Sequence, residues 1–126
     1  MKIERSSASN LAQVDFENLT FGSVFTDHMF VCKYKNEKWQ TPKVIPYQPL
    51  SFEPSMSVLH YGQAVFEGMK AYKDNENKVW LFRPDQNFKR INRSSERLQI
   101  PVFPEKYFFE GLKTLVNLDK DWIKPG

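Results

Sequence analysis

Two histidines, His28 and His60, one cysteine, Cys32, and a set of arginines are the side chains of this sequence with the most chemistry open to them. A zinc site gathers its ligands at short, characteristic spacings. Neither histidine has a Cys, His or carboxylate so placed, and no metal centre is expected. No Gly-rich phosphate loop is present either. Ser94-Ser95 lie in a basic segment and fit surface or helix-packing positions better than a nucleophile paired with a base. Cys32 sits among apolar residues, which suits a packed thiol; a reactive thiol is the alternative.

Arg83 follows the run Val79-Trp80-Leu81-Phe82 and precedes Pro84, so it stands where a strand gives way to a helix. Its forked donors could there serve a phosphate whose charge the helix N-terminus also favours, or an ordinary salt bridge. Arg90, Arg93 and Arg97 fall at i, i+3 and i+7, opposite the stripe of Phe88, Ile91 and Leu98. The plain expectation is a solvated face with Asp85 and Glu96 in local pairs. A nucleic-acid surface with aromatics for stacking is the rival, and no RNA- or DNA-binding motif supports it.

The elements that must position these residues are legible in outline. Residues 1–18 are polar with scattered apolar positions and read as an arm. Residues 26–35 are rich in β-favouring types, Asn36-Glu37-Lys38 supplies a polar turn, and a second strand is expected at 43–48. Pro42, Pro46, Pro49 and Pro54 keep this region out of helix. The spacing at 61–67 predicts a short helix ended by Gly68. Residues 69–73 and 78–82 form a hairpin around Asp74-Asn75-Glu76-Asn77, the clearest in the chain.

Pro84 opens a helix through Leu98 whose buried face would carry Phe88, Ile91, Ser95 and Leu98, and Pro101 closes it. Pro104 opens another, with the stripe Phe108, Leu112, Leu115 and Val116, and Phe103 stapled onto Tyr107 or Phe108. The fold class is α+β: an antiparallel-rich sheet with two helices packed on one face. Residues 19–126 form this one domain, and the turn at Pro125-Gly126 is where a connection to something else would begin.

Composition agrees with one soluble domain. The chain has 126 residues, 40% of them hydrophobic, and one cysteine. A chain of this length buries roughly two thirds of its unfolded surface, enough for one core. A single cysteine cannot form an internal disulfide, which points to a reducing, cytoplasmic compartment. The first residues lack the apolar stretch of a secretory signal, and no apolar run approaches the ~18 residues of a membrane span. The 18 Lys+Arg against 15 Asp+Glu leave a net charge of +3, too mild to indicate nucleic acid. The 11 Phe, 5 Tyr and 3 Trp exceed what a small domain needs.

Three stretches account for that excess. The run Leu59-His60-Tyr61-Gly62-Gln63-Ala64-Val65-Phe66-Glu67-Gly68-Met69-Lys70-Ala71-Tyr72 closely resembles the signature of branched-chain amino-acid aminotransferases, fold-type IV enzymes that use pyridoxal phosphate. Phe21-Gly22-Ser23-Val24-Phe25-Thr26-Asp27-His28-Met29 is similar to an early strand of that family. Leu81-Phe82-Arg83-Pro84-Asp85-Gln86-Asn87, followed by Arg90, Asn92-Arg93-Ser94 and Arg97-Leu98, is similar to its phosphate-side arginine and the helix after it. The resemblance runs from about Phe16 to the last residue.

The resemblance implies roles for four positions. Arg83 would bind the cofactor phosphate. Phe21 and Phe66 would wall the pocket for the substrate side chain, and Tyr61 would reach from a dimer interface toward the neighbouring subunit's pocket; core packing is the alternative for these three aromatics. Such walls suit branched aliphatic substrates, whose side chains gain affinity only by leaving water. No role follows for His60 or Lys70, since the family's Schiff-base lysine lies in a later domain. That lysine, the acidic partner of the pyridine nitrogen and a substrate-carboxylate stretch all fall outside residues 1–126. The chain is therefore expected to be the incomplete N-terminal small domain of a homodimeric enzyme, inactive alone, with no catalytic residue of its own. The parent would pass the amino group of leucine, isoleucine or valine to 2-oxoglutarate, giving 2-oxo acids and glutamate by ping-pong transfer. Aminotransferases of the same fold acting on D- or aromatic amino acids are the rivals. Neither nucleic acid nor membrane is an expected partner.

Overall fold

The computed structural model describes residues 1–125, and the expected terminal turn involves Gly126, which lies outside them. The class is α+β: seven short strands, three α-helices and three 3-10 turns among the described residues. The chain forms two compact units, residues 1–48 with 109–124, and residues 49–108 with Pro125.

The first unit is built on a three-stranded sheet. Strand β5 (Lys43–Pro46) lies at its centre, parallel to β1 (Lys2–Ile3) and antiparallel to β2 (His28–Val31). Val44 pairs with Phe30 on one side and Ile3 on the other and is fully buried. Residues 1–18 contribute no buried residue, yet they are tied down by β1 and two 3-10 turns, Leu11–Gln13 and Phe16–Asn18.

The expected single strand over 26–35 is two strands. After β2 the chain enters a separate hairpin of β3 (Tyr34–Lys35) and β4 (Lys38–Trp39), with Tyr34 edge-on to Trp39 at 5.1 Å. Asn36 and Glu37 both take positive φ, 52° and 58°, the two-residue turn whose twist matches a hairpin. Lys38 therefore belongs to the returning strand and not to the turn. Cys32 is half-buried, its thiol donates to the Gln40 carbonyl at 3.2 Å, and burial pushes its pKa up. That environment fits a packed thiol.

Two buried or half-buried carboxylates hold the rest of this unit. Asp119 accepts from the His28 amide at 3.1 Å and lies 2.6 Å from its Nδ1. The Ser6 amide donates to His28 Nε2 at 2.9 Å, so Nδ1 carries the ring proton and donates to Asp119. Asp27 accepts from Ser9 Oγ, the Asn10 amide and Trp122 Nε1, and these bonds hold its carboxyl below the ordinary range against the opposing effect of burial. Trp122 is the second buried apolar side chain.

In the second unit, the expected helix at 61–67 is instead α1 (Ser57–Tyr61). Gly62, at φ 61°, takes the left-handed conformation that terminates a helix, ahead of Gly68 in the chain. Residues 62–70 then run without regular structure into the hairpin of β6 (Ala71–Lys73) and β7 (Val79–Leu81). Asp74 organises that turn as expected: its carboxylate accepts from the Glu76 and Lys78 amides, both at 2.9 Å, and from Trp80 Nε1 at 2.7 Å.

Helix α2 (Pro84–Arg97) starts with Pro at its first position. Its buried residues are Asn87, Asn92 and Ser95; Phe88 and Ile91 are only half-buried and Leu98 is exposed. The expected apolar face is thus part amide, because each amide finds partners. Asn92 accepts from the Phe103 amide at 2.7 Å and donates to its carbonyl at 3.3 Å. Helix α3 (Glu105–Leu118) begins in this unit, with Phe88 against Phe108 at 5.3 Å and Phe103 against Tyr107 at 6.5 Å, the staple expected there.

Within the first unit, α3 meets the sheet at Gly111, where an added Cβ would overlap the Phe30 ring. Gly111→Ala should therefore lower stability by up to about 2 kcal/mol, since overpacking costs ~1–3 kcal/mol and helix propensity returns ~1 kcal/mol. Urea denaturation measures this; a raised midpoint would mean that the Phe30 ring moves aside at little cost and helix propensity wins.

Candidate functional site

The junction between β7 and α2 is strained at a residue with no Gly-like freedom. Arg83 has φ 48° and ψ 52°, a left-handed conformation that costs a non-glycine residue roughly 1–2 kcal/mol. Proline at 84 explains part of it: the residue before a proline is pushed out of the right-handed helical region. Among the described residues, no hydrogen bond or ion pair holds the Arg83 guanidinium, so the salt-bridge alternative has no partner here. Asp85 is the nearest charge effect of note, and its carboxyl, held low chiefly by the Gln86 amide, is lowered further by Lys89 and Arg83.

Arg83 lines an open hollow of about 300 Å³ together with Lys70, Phe82, Gln86, Asn87 and Arg90. Three cationic side chains in one hollow suit an anion. They are not equivalent, because Arg90 is engaged. Glu67 accepts from Arg90 Nε at 2.5 Å and Nη2 at 2.9 Å, a forked pair, and from Asn87 Nδ2 at 2.5 Å. Asn87 spends its other amide proton on the Gly68 carbonyl at 3.0 Å. The expected solvated face of α2 is therefore interrupted at Arg90, whose partner is neither Asp85 nor Glu96 but a residue from the irregular segment. This also weakens the nucleic-acid reading of that face, since one of its three cations is neutralised.

The sequence singled out Glu67 only as part of a motif. The available signal was an acidic residue in a stretch without secondary structure, followed by Asn87 and Arg90 one turn apart on α2; nothing local shows that the three meet.

None of the aromatic candidates is among the residues that line the hollow. Tyr61 ends α1 and is 87% exposed, and Phe66 stands in the segment after it at 92% exposed. Tyr61, Phe66 and Arg83 share the second unit, whereas Phe21 belongs to the first and is fully exposed. None of the three aromatics is a core residue. Both ring nitrogens of His28 are engaged, by Asp119 and the Ser6 amide, and His60 Nε2 meets the Pro54 carbonyl at 2.9 Å.

Comparison with known proteins gives these exposed residues a context. Branched-chain-amino-acid aminotransferase 2 of Bacillus subtilis is 56% identical over 110 residues, 86% of this chain and 30% of its own length. Branched-chain-amino-acid transaminase 1 of the same organism is 53% identical over 110 residues. The branched-chain-amino-acid aminotransferase of Dictyostelium discoideum is 45% identical over 125 residues, 98% of this chain and 33% of its own. This chain is homologous to part of the branched-chain-amino-acid aminotransferases. It spans about 30% of the length of the curated relatives it matches. No family model matches it. Identity at this level, sustained over most of the chain, agrees with the aminotransferase signature at 59–72, on which Tyr61, Phe66 and Glu67 all lie. No helix among the described residues is long and apolar enough to cross a membrane.

The Arg90 and Asn87 bonds hold the Glu67 carboxyl below its ordinary value of 4.5, the Arg90 bond contributing most, against the smaller opposing effect of burial. A depressed carboxylate contributes stability that is fully present above the unfolded pKa and is lost as pH falls through the folded one. Carbon-detected NMR titration should place the Glu67 midpoint below 4.5, and Arg90→Ala should move it upward. A midpoint unaffected by that substitution would show that the pair does not persist in solution.

Proposed function

We propose that this chain forms the N-terminal small-domain part of a branched-chain-amino-acid aminotransferase. The enzyme passes the amino group of leucine, isoleucine or valine to 2-oxoglutarate with pyridoxal phosphate as cofactor. The observation that carries this reading is the 56% identity to a protein of that name over 86% of the chain. The Arg83 side chain fits the cofactor's phosphate: it is a forked cation without a hydrogen-bond or ion-pair partner among the described residues, at the start of a helix, beside Lys70 in an open hollow. Bound there, pyridoxal phosphate supplies the electron sink that loosens the bonds at the amino acid's α-carbon.

The chain's own contribution is binding and exclusion of water. Arg83 neutralises and orients the phosphate. Phe21 and Phe66 present apolar surface to an aliphatic side chain, and each methylene buried in such a pocket is worth ~1–3 kcal/mol of discrimination. Tyr61 performs the same service for the neighbouring subunit of a homodimer. The exposure of all three rings leaves them open to such contacts. The residues that do covalent chemistry lie outside this chain, in a larger cytoplasmic protein.

Two measurements test the reading. The full-length protein should form glutamate from leucine and 2-oxoglutarate, whereas residues 1–126 alone should not; turnover by residues 1–126 would overturn the assignment of the covalent chemistry elsewhere. Arg83→Ala in the full-length protein removes a charge-assisted bond worth ~1.5–3 kcal/mol and should weaken pyridoxal phosphate binding about ten- to a hundredfold. The preference among leucine, isoleucine and valine should stay within about twofold. Unchanged cofactor affinity would remove Arg83 from the phosphate site.

A further inference from the structure

The segment that carries Phe66 has no secondary structure of its own to hold it, and the Phe66 ring makes no hydrogen bond or ring contact among the described residues. Its placement depends on what fastens the backbone on either side. One fastening is Gln63, whose side-chain amide donates to the Leu98 carbonyl at the end of α2 at 2.8 Å. The other is Glu67, the residue next to Phe66. Its side chain is only 13% exposed although it is charged, and it accepts three hydrogen bonds from Asn87 and Arg90. Asn87 adds a bond to the Gly68 carbonyl, so backbone and side chain are gripped together.

The grip lies on the helix whose first turn Arg83 precedes. Asn87 is one helical turn beyond Arg83, and the axial rise over that turn is about 5–6 Å. A loop anchored at Asn87 and Arg90 therefore keeps a fixed relation to the start of α2, which a loop held only at its ends would not. We propose that Glu67 is a positioning residue that sets where Phe66 stands relative to Arg83, and through Phe66 selects for long aliphatic side chains. The proposal rests on the aminotransferase reading for what Phe66 and Arg83 touch, but not for the Glu67 geometry itself.

A forked ion pair with an added amide bond is suited to this task. The guanidinium fork and the carboxylate are both planar, so the pair fixes direction as well as distance, and burial of Asn87 denies its amide an alternative partner in water. Glu67→Ala would leave the Asn87 amide buried and half-satisfied, and the segment free to drift. Glu67→Gln would keep one acceptor oxygen for Arg90 or Asn87 but not both forks.

The test uses the full-length enzyme with leucine and with 2-aminobutyrate, whose shorter ethyl side chain reaches less far into a pocket. Glu67→Ala should lower kcat/KM for leucine about tenfold and for 2-aminobutyrate less than about twofold, mostly through KM, with Glu67→Gln intermediate. Arg90→Ala should reproduce the leucine-selective loss, and the double variant should be no worse than about the larger single loss, since both act through one clamp. Backbone NMR order parameters at 64–68 should fall in Glu67→Ala while those of α3 do not change. Equal losses for the two amino acids, or additive losses in the double variant, would overturn the positioning role while leaving the aminotransferase reading intact. Failure of the unsubstituted enzyme to turn over leucine would overturn that reading and the selectivity with it, and the order parameters would still decide whether Glu67 holds the segment.

Discussion

Asn87 and Asn92 are buried on α2, and an amide without partners in such a place costs about 1–3 kcal/mol. Both must therefore be met by something, and what meets them is irregular chain: the segment at 67–68 for Asn87, the backbone of Phe103 for Asn92. Residues 49–108 depend on that requirement more than on apolar burial. No apolar side chain of this unit is buried outright, and Phe88 and Ile91 are only half covered. A helix that buries amides pins its loops by hydrogen bonds with direction, where a hydrocarbon face would let them slide.

The first unit uses the same device with carboxylates. Asp27 gathers the N-terminal segment and Trp122, and Asp119 gathers His28, whose far nitrogen in turn holds the Ser6 amide. Val44 is the only apolar side chain among the described residues with no exposure at all, between β1 and β2 on the central strand. Polar anchoring of this kind leaves aromatic surface uncovered, as at Phe21, Tyr61 and Phe66. Surface of that kind is what an assembly with further protein would use, and the relatives, which are about three times as long, have more chain to supply it.

Where local chemistry decides, the sequence could be read directly. The Asp74 turn, the proline that opens α2, the start of α3 and the Phe103–Tyr107 staple all rest on residues within a few positions of one another. The resemblance to aminotransferases was equally visible, because a motif is a local string. The misplacements have local causes too: Gly62 stops α1 before the apolar spacing runs out, and the paired positive φ values at Asn36 and Glu37 turn the chain one residue early. Both were conformations that several residue types or either of two glycines could have taken.

By its residues alone, this chain determines an α+β composition, the order of its hairpins and helices, and a family likeness that singles out Phe21, Tyr61, Phe66 and Arg83. Tertiary structure decided which charges are spent and which are free. Arg90 and Arg83 look alike in sequence, each an arginine on or beside the same helix, yet Arg90 is bound by Glu67 from 23 residues away and Arg83 has no hydrogen-bond or ion-pair partner among the described residues. That difference arises from a long-range pairing, in which a buried amide and an irregular loop bring the carboxylate to one arginine and not the other. Periodicity and propensity describe only neighbours along the chain, so they carry no information about it.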